Sequence, residues 1–99
     1  MTRNGATLYM IVERFKRGDA AAVYRRFRER GRLAPDGLTY VESWVDDTLN
    51  TCFQLMATER RELIDQWIAQ WSDLVDFELY PVISSRVAAA RALGEALSD

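Results

Sequence analysis

Four stretches of the chain alternate with a period of two, and this constrains the fold more than any other feature. They are Leu8–Phe15, Leu38–Val45, Thr51–Ala57 and Val75–Ile83. Successive strand residues point to opposite faces of a sheet, so residues of one parity share a face. One class is almost purely apolar: Leu8, Met10, Val12, Val41, Val45, Phe53, Leu55, Phe77 and Leu79. It is expected to face the core. The other class mixes charge with aromatic rings: Tyr9, Glu13, Tyr40, Glu42, Trp44, Cys52, Gln54, Asp76, Glu78 and Tyr80. That face is too aromatic for open water and too charged for a dry core, and function is expected there.

Between the strands the period changes to that of a helix. Asp19 is placed to start one whose stripe is Ala20, Val23, Tyr24 and Phe27, with Gly31 as its stop. Pro35-Asp36-Gly37 is a turn. Thr58 is the expected N-cap of a second helix with the stripe Leu63, Ile64, Trp67, Ile68 and Trp71. Ser84 or Ser85 caps a last helix, Arg86–Leu97, with the stripe Val87, Ala90, Leu93 and Leu97. The order βαββαβ plus a C-terminal helix is the split βαβ pattern. It predicts a single α+β, ferredoxin-like domain over residues 1–99, with a four-stranded antiparallel sheet and helices on one face.

Composition narrows the chemistry. There is no histidine, which excludes His-based triads, the common His zinc sites and a His-ligated haem. Acid–base work would fall to Asp, Glu, Tyr or the one cysteine, Cys52. A lone cysteine forms no internal disulfide and fits a reducing compartment, and no apolar stretch is long enough for a signal peptide or membrane span. A cytoplasmic protein is expected. Residues 1–33 carry nine Lys/Arg against three Asp/Glu, largely through Arg25, Arg26, Arg28, Arg30 and Arg32. This run is read as a solvated helix face. The third strand lacks the basic and aromatic string of RNA-binding split βαβ domains, and its sheet face is acidic, so nucleic acid is not an expected partner.

In this fold the outer sheet face is uncovered, and it would show Tyr9, Ile11, Tyr40, Trp44, Met56 and Tyr80. A contiguous apolar patch of that kind marks an interaction surface, and packing two sheets face to face in a homodimer is the economical way to cover it. Glu13, Glu42 and Glu78 come from three strands. They are either interface ion-pair residues, with Arg3 or Arg14 among the cations, or the base or polar anchor of a ligand cavity. Cys52 and Gln54 share that face. Trp67 and Trp71 are core residues or pocket walls, and Ser43 marks a pocket floor between sheet and helices or bonds backbone. No spacing demands a metal, and no cofactor is implied.

Glu13-Arg14-Phe15, Val23-Tyr24-Arg25-Arg26-Phe27, Pro35-Asp36-Gly37-Leu38, Cys52-Phe53-Gln54-Leu55-Met56 and Trp71 through Glu78 together resemble a family of small bacterial proteins of unknown function, over about positions 8–83. That family resembles in turn the dimeric α/β-barrel superfamily of ferredoxin-like proteins. Its members include cofactor-free quinone-forming monooxygenases, muconolactone isomerase-like enzymes and haem-degrading proteins. The resemblance implies the fold and the dimer and carries over no catalytic residue.

Two functional readings follow. In the first, the chain is a dimeric small-molecule-binding protein or cofactor-independent enzyme acting on a small planar or aromatic metabolite. Glu13, Glu42 and Glu78 are then the catalytic candidates, and Tyr40, Trp44, Cys52, Gln54, Trp67 and Trp71 the ligand-binding ones. In the second it is a non-catalytic dimerisation module with no ligand. Neither involves a membrane.

Overall fold

The computed structural model describes residues 5–96. The elements run β1 (Thr7–Phe15), a 3-10 turn (Lys16–Gly18), α1 (Ala20–Arg30), β2 (Thr39–Val45), β3 (Thr51–Thr58), α2 (Glu62–Ala69), β4 (Val75–Val82) and α3 (Ser85–Leu93). The four strands form one antiparallel sheet in the order β2-β3-β1-β4. This is the ferredoxin-like α+β arrangement read from the element order. Pro81 lies in β4, an edge strand, where a missing N–H costs no central ladder bond.

Each helix has a local cause. The Asp19 carboxylate accepts from the Ala22 amide at 3.1 Å and caps α1, which ends at Gly31 with φ 75°. Val23 of α1 and Leu63, Ile64 and Trp67 of α2 are buried against Ile11, Phe15, Met56 and Val75 of the sheet. A bidentate pair from Arg26 to Asp73, at 2.7 and 2.6 Å, ties α1 to the segment between α2 and β4. Thr58 does not cap α2. It ends β3 with its side chain buried, and its hydroxyl accepts from the Arg60 amide at 3.1 Å and bonds the Arg60 carbonyl at 3.2 Å. The hydroxyl is thus used in a local turn, and the helix begins four residues later. Ser84 caps α3 through the Val87 amide at 3.1 Å. Leu97 of the expected stripe and Arg3 lie outside the described residues.

The sheet corrects the expected faces of its two central strands. On β1 and β3 the helices cover Ile11, Glu13, Phe15, Cys52, Gln54 and Met56, all buried. Leu8, Met10, Val12, Phe53 and Leu55 turn to the outer face. Ile11 and Met56 are therefore core residues and not part of an outer patch. The reason is that both faces of these strands are apolar enough to pack. The helices select the one with Phe15, Met56 and Val75, and the polar residues come with it. On β4 the expectation holds: Phe77 and Leu79 pack on the core, while Asp76, Glu78 and Tyr80 are exposed. On β2 an irregularity shifts the register, so that Tyr40 faces Met56 but Glu42 faces Leu55. The shift brings Tyr40 to the helix side, where its ring meets Arg32, and leaves Val41 exposed.

Candidate functional site

Two rungs of the sheet build the floor of a cavity. Glu13 of β1 pairs with Cys52 of β3 and Phe77 of β4. Ile11, the next inward residue of β1, pairs with Gln54, which pairs with Ser43 of β2. Glu13 and Gln54 are thus diagonal neighbours on adjacent strands, close enough for their side chains to meet. Above them α1 contributes Val23, Tyr24 and Phe27, and α2 with the residues after it contributes Trp67 and Trp71. The space between them, open on one side, is about 230 Å³.

Arg32 enters from the loop between α1 and β2. Its backbone carbonyl accepts from both indoles, Trp67 Nε1 at 3.0 Å and Trp71 Nε1 at 2.9 Å. That carbonyl satisfies the two buried N–H groups and holds the loop over the cavity. The guanidinium carbon lies 3.7 Å from the Tyr40 ring centroid and 5.1 Å from that of Phe27.

The polar groups form a chain with an enforced direction. Arg32 Nη1 donates to Gln54 Oε1 at 3.2 Å, and Gln54 Nε2 donates to Glu13 Oε2 at 3.1 Å. Arginine has donors only, so the amide oxygen of Gln54 must face it and the NH₂ must face Glu13. Burial pushes the Glu13 carboxyl up to about 8, against the opposing pull of Arg32. Because the amide stands between them, the arginine does not contact the carboxyl and recovers little of that shift. At neutral pH Glu13 is therefore mostly the neutral acid. With Oε2 accepting from Gln54, its proton belongs on Oε1. Burial, reinforced by Glu13, likewise pushes the Cys52 thiol up to about 12. The thiol is not a nucleophile at neutral pH.

Of the expected site residues, the fold brings together Glu13, Cys52, Gln54, Trp67 and Trp71 around this cavity, with Tyr40 reaching it through Arg32. Ser43 lines it too. Glu42, Trp44 and Glu78 are not part of it. Glu42 accepts from the Ser43 amide at 3.0 Å on the edge strand. Glu78 pairs with Arg14 at 2.8 Å on the outer face, and Trp44 is 53% exposed. Arg32 was absent from the expected site because it was counted with the basic run of α1. The signal was Gly31: a residue beyond the helix stop does not belong to the helix face. Tyr24 and Phe27 belong to the apolar stripe of α1, and they wall the cavity from that stripe.

A family model for a domain of unknown function, DUF3303, matches residues 7–96. The chain belongs to the DUF3303 family. No curated protein and no solved structure matches it. The match spans every element from β1 to α3, so the cavity belongs to the DUF3303 domain itself. Among the described residues, no three His, Cys, Asp or Glu side chains group to hold a metal ion. No helix there is long and apolar enough to cross a membrane.

Proposed function

We propose that the chain binds a small planar molecule in the cavity between sheet and helices, with Glu13 as its polar anchor and proton-exchanging group and without a cofactor. One observation carries this reading: a buried carboxyl, held by Gln54, at the floor of an aromatic-walled space. The volume of about 230 Å³ exceeds the roughly 150 Å³ that accommodates a benzene ring. A carboxyl titrating near 8 can give or take a proton at neutral pH, which general acid–base chemistry requires. Trp67 and Trp71 provide a built-in reporter. Planar aromatic compounds that enter should perturb tryptophan fluorescence and raise the melting temperature. Glu13→Gln should weaken those that hydrogen-bond to the acid by about tenfold. If no planar compound in a broad panel moves either signal at millimolar concentration, the reading fails.

The outer sheet face favours a second property, association of two copies. The central strands carry the apolar side chains Leu8 and Met10 beside Phe53 and Leu55 there, with Val12 buried among them, bordered by the exposed rings of Trp44 and Tyr80. Such a patch is costly to leave in water. This association is compatible with a ligand cavity inside each copy.

A further inference from the structure

The charge of the cavity goes beyond its shape. Several cations of the fold have carboxylate partners: Arg14 with Glu78, Lys16 with Asp76, Arg26 with Asp73, Arg60 with Glu62 and Arg61 with Asp65. Arg32 is half-buried and lines the cavity, yet its hydrogen-bond acceptor is the neutral amide of Gln54. Among the described residues no carboxylate stands within ion-pair distance of it. The Phe27 and Tyr40 rings lie against the guanidinium. One N–H of the guanidinium is given to Gln54, and its remaining N–H groups are the donors a ligand can reach.

We infer that the cavity takes a planar monoanion, an aromatic or similarly flat carboxylate. Its charge is met by the edge of Arg32, and its ring lies among Tyr24, Phe27, Trp67 and Trp71. This rests on the proposal that the cavity binds a small planar molecule, and it names the class. A carboxylate matches the flat donor fork of arginine. One cation without a second beside it suits one negative charge and not the two of a phosphate monoester. The neutral Glu13 supports the same polarity, since its Oε1 proton can be donated to an anion and its charge does not oppose one. The groups facing Glu13 are Tyr24 from α1, Cys52 from β3 and Arg32 from the loop. Burial holds the tyrosine above its usual value and the thiol near 12. Glu13 is therefore the group that changes charge between pH 6 and 9, and its ionisation should expel the anion.

The test compares matched pairs of probes on the native chain by calorimetry and tryptophan fluorescence: benzoate with benzamide, and phenylacetate with phenylacetamide, with inorganic phosphate as a third arm. The carboxylates should bind at least about tenfold tighter than their amides and tighter than phosphate. Their affinity should fall as pH rises through 8. Arg32→Met should erase the preference, and Arg32→Lys should restore part of it. Both variants keep the backbone carbonyl that holds the two indoles. Glu13→Gln should weaken carboxylate binding by about tenfold and flatten its pH profile. Amides that bind as well as carboxylates, with the same cavity response, would overturn the anion inference and leave the cavity reading standing. Absence of any response to either class would overturn both. Tighter binding of phosphate than of the carboxylates would replace the ligand class.

Discussion

At the scale of single residues, Glu13 dominates the behaviour of the molecule. A free glutamate titrates near 4.5, and burial in this fold moves it to about 8. Between these values the folded chain holds a proton that the unfolded chain has lost, so stability must fall as pH rises. The contribution is complete below about 4.5 and is lost as pH passes through about 8. The slope is up to ~1.4 kcal/mol per pH unit, on the order of a few kcal/mol over the window. Other groups titrate elsewhere. Hydrogen bonding to Arg26 holds Asp73 near 2, so its effect appears only in acid. Urea denaturation from pH 5 to 8 should show the native chain losing stability steadily. Glu13→Gln should be nearly flat and more stable than the native chain at pH 8. A native profile without slope would show that Glu13 is ionised in the fold. The sequence marked Glu13 and Gln54 as functional because they are polar in apolar strands. It could not mark Arg32, whose role comes from a loop that turns it back between two rings.

At the scale of elements, legibility followed how one-sided each strand is. β4 sets Asp76 and Glu78 against Val75, Phe77 and Leu79, and its faces could be assigned. β1 sets Tyr9, Ile11, Glu13 and Phe15 against Leu8, Met10, Val12 and Arg14. Each class holds one charge, so alternation alone does not choose. Placing Glu13 on the outer sheet face inverts the strand, and Cys52 and Gln54 invert β3 with it. Polar residues at core positions are where a pattern rule fails at a cavity. The loop between α1 and β2 was legible as a turn, but not its anchor, because the acceptor is a main-chain carbonyl. That anchor has a measurable signature. The Arg32 carbonyl accepts from Trp67 at 3.0 Å and Trp71 at 2.9 Å. Removing one indole N–H leaves it one partner, whereas removing both leaves a buried acceptor with none. Trp67→Phe and Trp71→Phe together should therefore destabilise by about 1 kcal/mol more than the sum of the single changes. A strictly additive double mutant would mean that the loop is held by packing alone.

At the scale of the whole molecule, the inverted parity makes the case for self-association stronger. An outer face carrying Glu13 and Gln54 would have buried charge in a dimer, whereas β1 and β3 carry Leu8, Met10, Phe53 and Leu55 there. Its charged residues sit toward the edges, Glu42 on β2 and, on the other side, Arg14 of β1 with Glu78 of β4 at 2.8 Å. A two-fold axis through the sheet would place the apolar strands of one copy against those of the other and leave the ion pairs at the rim, the usual anatomy of an interface. The 11.4 kDa chain should therefore sediment at twice that mass at about 10 micromolar, a concentration at which an interface of standard size is populated. Phe53→Glu places a charge at the centre of the patch. Since Phe53 turns away from the core, the change should shift the chain to monomer without unfolding it. The cavity lies within one copy, so the monomeric variant should keep the affinity of native chain for benzoate. A native chain that sediments as a monomer at that concentration would remove the dimer. A Phe53→Glu monomer that loses the probe would show that the cavity depends on the partner copy.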